Sequence, residues 1–136
     1  MKSQLTTLIP MAIQVIEDVN IPSNKQKREV PSVYNGYVSS LGAGIVQAGL
    51  LPAVIFFENS EGEGQKYKVT QAIRLLMERE TKGEKFTPSD LSTDNYRLSA
   101  YILDERVQND ARFLRKVSTM AVAIKIALRT FKKIES

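Results

Sequence analysis

The chain has 136 residues and a net charge of +4, and it contains neither cysteine nor histidine. A domain of this length removes roughly two-thirds of its unfolded surface from water and needs no staple, and the missing cysteines exclude disulfides, thiolate metal sites and cysteine nucleophiles. The missing histidines remove the commonest general base near neutral pH, the commonest metal ligand and every triad that depends on imidazole.

The first residues, MKSQLTT, lack the continuous apolar run of a signal peptide. Residues 30–57 are uncharged, but Pro31, Gly36, Gly42, Gly44, Gly49 and Pro52 break them up, which makes the segment a poor bilayer span. A soluble, cytoplasmic protein with no membrane contact is the expectation.

A first helix is marked by Leu5, Ile9, Ala12, Ile16 and Val19, whose 4, 3, 4, 3 spacing gives one face. Pro10 either kinks that helix or forms its true first turn. Residues 20–31, with prolines near both ends and the basic run Lys25, Lys27, Arg28, read as an exposed loop. A second helix fits residues 32–48 through Tyr34, Tyr37, Leu41, Ile45 and Ala48. Gly42 and Gly44 weaken it by about 1 kcal/mol each relative to alanine, which hints at a close helix–helix approach. Gly49 fits the left-handed position after a helix end.

Pro52 suits the first turn of a third helix at 52–58, which is apolar all round and therefore expected at the centre of the core. A surface loop at 59–64 precedes a fourth helix over about 65–80, with Val69, Ile73, Leu76 and Met77 inward. Thr87, Pro88, Ser89 and Asp90 read as a capped helical turn, and Thr93-Asp94 as the N-cap of a helix bearing Leu98, Tyr101, Ile102 and Leu103. The last helix follows Phe113, Val117, Met120, Ile124, Leu128 and Phe131 for five to six turns. A strand is conceivable only at 54–57, and helix is preferred there for want of a partner strand. The expected fold is all-α: a single compact bundle of about six helices in one domain spanning 1–136.

Charge is segregated along this layout. Residues 1–110 hold 12 Lys and Arg against 14 Asp and Glu, whereas residues 111–136 hold seven basic residues against Glu135 alone. On a helical wheel Arg115, Arg129 and Lys133 fall opposite the apolar stripe of the last helix, and Arg112, Lys116, Lys125 and Lys132 flank them. That outward side suits phosphate oxygens without regard to base sequence. An ordinary solvated helix face, helped by the C-terminal end of the macrodipole, is the competing reading. Lys25, Lys27 and Arg28 form a second candidate phosphate contact, or a plain exposed loop.

The glycines at 42, 44 and 49 match no phosphate-loop spacing, and no strand precedes them. Glu61 with Glu63, and Asp104 with Glu105, read as solvated charge, since nothing nearby completes an oxygen shell. The tyrosines at 34, 37, 67, 96 and 101 read as core and rim rather than base-stacking platforms. No metal, cofactor or catalytic residue is expected. Serine–lysine or carboxylate-only chemistry remains open to an enzyme of this composition.

The run YVSSLGAGIVQAGLLPAVIFF at 37–57 resembles the small-subunit family of the type III-B CRISPR (Cmr) ribonucleoprotein. It shares the tyrosine-bearing helix, the apolar pair Leu41 and Ile45, the Gly49-Leu50 pair and a following short helix of small and aromatic residues. It departs from the family pattern at Ala48, where members often carry a polar residue, and near Gly42, where they often carry proline. The resemblance implies an all-α subunit of about six helices in an RNA-guided antiviral complex. Its implied partners are guide RNA, target nucleic acid, backbone and large subunits, and neighbouring copies of itself. The family's small subunit is not the nuclease, and base sequence is read by the guide. The alternative is a helical adaptor whose basic face binds an acidic protein.

Overall fold

A computed structural model describes residues 2–59, 65–93 and 95–135, with the side chains of residues 2 and 3 outside that description. The elements run α1 (Lys2–Asp18), β1 (Glu29–Pro31), α2 (Val33–Ala48), α3 (Leu50–Glu58), α4 (Tyr67–Lys82), α5 (Leu98–Glu105), α6 (Ala111–Leu128) and β2 (Lys132–Ile134). The six helices form the expected all-α bundle, with one small addition.

That addition is a parallel pair of three-residue strands, with Glu29, Val30 and Pro31 opposite Lys132, Lys133 and Ile134. Sequence pattern alone points to an exposed loop at one of these positions and the end of a helix at the other, and both are corrected. α6 stops at Leu128 because the Thr130 hydroxyl donates to the Ala127 carbonyl at 2.8 Å while the backbone NH of Phe131 donates to Leu128 at 3.1 Å. The chain then leaves the helix axis, so Lys132 and Lys133 lie beyond the rod, with Arg129 at its C-cap. The backbone NH of Lys132 donates to Arg28 at 2.7 Å, and that of Ser32 donates to Ile134 at 2.8 Å. Burial of Val30 and Phe131 seals the ribbon against the core.

α1 runs unbroken through Pro10 and presents Leu8, Ala12, Val15 and Ile16 to α6 and α4, with Val19 buried just past its end, while Leu5 and Ile9 are only half-buried. The inward face is therefore rotated from the expected one. α3 begins at Leu50, ahead of Pro52, and is not central: Ile55 and Phe56 reach solvent, Phe56 at 81% exposure. A run of apolar residues names no face, and here one side of it looks outward.

The centre belongs to α4, which touches α1, α2, α3, α5 and α6. It buries Val69, Ala72, Ile73, Leu75, Leu76 and Met77, and with them the polar Gln71, Glu78 and Arg79. Gly49, at φ +93°, joins α2 to α3 and takes a conformation that L residues rarely adopt. Gly44 sits where α2 meets α3, and a Cβ there would lie 3.5 Å from that of Ala53. Gly42 is no such contact, because a Cβ there would meet nothing within 4 Å.

Residues 87–88 are irregular and 89–90 a turn, not helix. The Thr93 hydroxyl closes one turn by donating to the Asp90 carbonyl at 2.8 Å. The helix expected to start at a Thr93-Asp94 cap begins instead at Leu98, with Arg97 at its N-cap, because Thr93 closes the preceding turn. Asp94 itself and the pair Glu61 and Glu63 lie outside the described residues.

Candidate nucleic-acid interface

The strand pair brings together two basic segments more than 100 positions apart in the chain. On one side, residues 24–29 make a tight reversal: the backbone NH of Glu29 donates to Asn24 at 2.9 Å, that of Arg28 to Lys25 at 3.2 Å, and that of Lys27 to the Asn24 side-chain Oδ1 at 3.0 Å. An Asn side chain that mimics a turn in this way is a local device for holding a loop tip. It leaves Lys25 and Lys27 exposed. On the other side stand Arg129, Lys132 and Lys133, all exposed, with the two lysines on opposite faces of the ribbon.

Arg28 joins the halves. Its guanidinium lies 4.3 Å from the centroid of the Phe131 ring and donates to the Thr130 hydroxyl at 3.0 Å. Glu17 stands 3.9 Å from the same guanidinium, a loose contact. Arg28 also has φ +54°, uncommon for a side chain of its size, and its contacts hold it there. The carboxylates of these segments are Glu29 and Glu135, with Glu17 facing Arg28, so six cations outnumber three acids at this pole of the molecule.

The remaining predicted contacts lie elsewhere. Arg112 and Arg115 are exposed at the opposite end of α6, and the 17 residues from Arg112 to Arg129 span about 25 Å of helix. Asp110 caps that end, accepting from the backbone NH groups of Arg112 at 2.8 Å and Phe113 at 3.3 Å. Lys116 is paired with Glu80 at 3.1 Å. Lys125 donates to the Ser39 hydroxyl at 2.8 Å. Between the two ends, the outward side of α6 shows Ser118, Ala121 and Val122. The basic face expected from the wheel is therefore two basic ends separated by a stretch whose one outward cation is Lys125, turned onto Ser39.

A partly buried polar cluster lies apart from the candidate phosphate contacts. Arg74, Glu78 and Lys82 follow i, i+4 spacing on α4, with Glu78 accepting from Arg74 at 3.2 Å and Lys82 at 2.9 Å. The buried Tyr96 hydroxyl also donates to Glu78, and the Arg74 guanidinium lies 4.2 Å from the Tyr96 ring centroid. Burial pushes the Glu78 carboxyl up, but the hydrogen bonds from Tyr96 and Lys82 and the charges of Arg74 and Lys82 outweigh it and hold the pKa below the usual range. Burial, then the Glu78 hydrogen bond and charge, drives the Tyr96 phenol strongly upward. Glu78 is thus held ionised and Tyr96 neutral, an arrangement that clamps α4 to the segment before α5. The i, i+4 pattern is a readable signal; the tyrosine is not.

Nearby, Arg79 is 3% exposed, pairs with Asp18 of α1 at 2.7 Å and donates to the Phe86 carbonyl at 2.8 Å. Asp104 and Glu105 are exposed and line a shallow cleft with Arg74 and Lys82. Among the described residues no three acidic side chains converge as a metal-binding group, and no helix is long and apolar enough to cross a membrane. Tyr34 and Tyr96 are buried, while Tyr37, Tyr67 and Tyr101 are half-buried at the rim of the core. Compared with protein-family models, curated proteins and solved structures, the chain matches none.

Proposed function

We propose that this chain is a non-catalytic small subunit of an RNA-guided effector complex of the type III-B CRISPR (Cmr) kind, holding nucleic-acid backbone at its basic pole without sequence preference. The observation that carries the reading is the non-local strand pairing, which gathers Lys25, Lys27, Arg28, Arg129, Lys132 and Lys133 on one end. Guanidinium and ammonium groups pair with phosphate oxygens and release condensed counterions, so affinity comes from charge and carries no base code. In a complex where a guide pairs with its target, that is all a protein subunit must supply.

The family-like run at 37–57 supports the same reading. It folds as the α2–α3 hairpin, with Gly49 at the bend and Leu50 buried as the first residue of α3. Arg112 and Arg115 provide a second contact at the far end of α6, and other surfaces pack against backbone, large and neighbouring small subunits.

The test is purification of the tagged chain from its native host at moderate salt, followed by sequencing of any RNA that comes with it. A discrete population of small guide RNAs is expected. Recovery of the chain with protein partners but no RNA would overturn the reading.

A further inference from the structure

α2 carries no charged residue along its whole length, and α6 carries only cations. Between them runs an open groove of ≈ 340 Å³, with Val46 (86% exposed) and Val122 (46% exposed) on its lips and Gly42 in its wall. Lys125 sits at the rim, its ammonium held by the neutral Ser39 hydroxyl rather than by a carboxylate. Arg115, Val122 and Arg129 recur at seven-residue intervals, so the apolar lip is bracketed on one stripe of α6 by two exposed cations about 21 Å apart. Gly42 is the odd member of this wall. A glycine costs a helix stability, and internal packing does not require this one, since a Cβ would meet open space. What its missing side chain provides is room in the groove.

We infer that this groove docks an amphipathic helix of a partner protein, three to four turns long, with apolar residues entering beside Gly42 and Val122 and carboxylates at either end meeting Lys125, Arg115 and Arg129. Charge selects this occupant. A second copy of the chain would oppose the same cations across an uncharged contact, and like charges brought together are penalised. Nucleic-acid backbone would find donors only in Ser39, Ser118 and Lys125, and its phosphates would have to cover a lining that is otherwise apolar. Helix-in-groove recognition instead uses apolar anchors at i, i+3, i+4 and i+7, which match a floor of Val and Ala side chains. The groove itself is separate from the basic pole, because Lys25, Lys27, Arg28, Lys132 and Lys133 lie outside it; only the flanking Arg115 and Arg129 are shared with the nucleic-acid reading.

The full chain can be screened against a displayed library of random 18-residue peptides, and the enriched peptides titrated against the wild type, Gly42→Leu, Lys125→Glu and the Lys132→Glu/Lys133→Glu double variant. Enrichment of peptides with apolar residues at helical spacing flanked by Asp or Glu is expected. Gly42→Leu, with its melting temperature unchanged or raised, and Lys125→Glu should each weaken binding by roughly tenfold or more, while the double variant binds as the wild type does. Failure to enrich any such peptide, undiminished affinity in a folded Gly42→Leu protein, a wild-type dimer that Gly42→Leu makes monomeric, or an oligonucleotide affinity that Gly42→Leu abolishes would each overturn the inference.

Discussion

Arg28 does three things that no window of sequence around it reveals: it takes a left-handed backbone, lies over Phe131 and hydrogen bonds to Thr130, over 100 positions away. The basic run is legible in the sequence, but its partner is not. A proline-flanked polar stretch shows no periodicity, and three-residue strands are too short to display alternation. Phe131→Ala should cost about 3 kcal/mol through loss of a buried ring and should also loosen the pole, measurable as a lowered urea midpoint together with weaker oligonucleotide binding. The Tyr96–Glu78 clamp makes a second claim at this scale. Tyr96→Phe leaves the buried Glu78 carboxylate without one of its donors and should cost about 1–3 kcal/mol in the same assay.

The pH dependence follows from the same residues. The unfolded chain releases its tyrosine protons near pH 10, whereas burial, reinforced by Tyr37 and Tyr67, pushes the Tyr34 phenol up to about 12, and Tyr96 is raised further. Above pH 10 the native state therefore binds more protons than the unfolded state, and stability must fall as pH rises. On the acid side Glu78, held below its usual pKa, stabilises the native state at neutral pH, and that contribution is lost as pH falls through its folded value. Urea midpoints from pH 3 to 11.5 should describe a plateau with losses at both ends. Tyr96→Phe should have a shallower alkaline loss, with the remainder due to Tyr34.

Helix periodicity locates five of the six helices, because in each the spacing of apolar residues is set by the face it buries; α3, apolar all round, is marked instead by Gly49 and Pro52 at its start. Ends and rotations are less legible. The spacing carries α6 on to Phe131, which is indeed buried at helical distance from Leu128, but it is buried by the turn into β2. The apolar run of α3 suggests the centre of the core because it names no face, whereas the central helix is α4, whose buried Gln71, Glu78 and Arg79 disguise it as a half-exposed one. The glycines divide in a way that composition alone does not disclose. Gly42→Ala should raise stability by about 0.5–1 kcal/mol, the helix-propensity gain with no steric cost. Gly49→Ala should lower it by about 1–3 kcal/mol, because φ +93° is strained for any Cβ-bearing residue. Thermal melts of the two variants test both signs, and a destabilised Gly42→Ala protein would contradict the open groove wall.

Across the whole molecule the decisive property is where charge collects. The excess of lysine and arginine after residue 110 is plain from the sequence. Its division into a basic pole at one end of α6 and a separate pair at the other depends on where the helix stops, on Glu80 answering Lys116 and on Lys125 reaching Ser39. The pole is the part joined by tertiary structure, so it should account for most of the salt-dependent binding. The most direct test titrates the purified chain with two unrelated single-stranded oligonucleotides over a range of salt concentrations, beside the variant Lys25→Glu/Lys27→Glu/Lys132→Glu/Lys133→Glu. Equal affinity for the two sequences is expected, with the logarithm of the binding constant falling linearly with the logarithm of salt and the variant's slope shallower by about 0.7 for each phosphate it no longer neutralises. Affinity and slope unchanged in a folded variant would contradict the assignment of nucleic-acid binding to this pole.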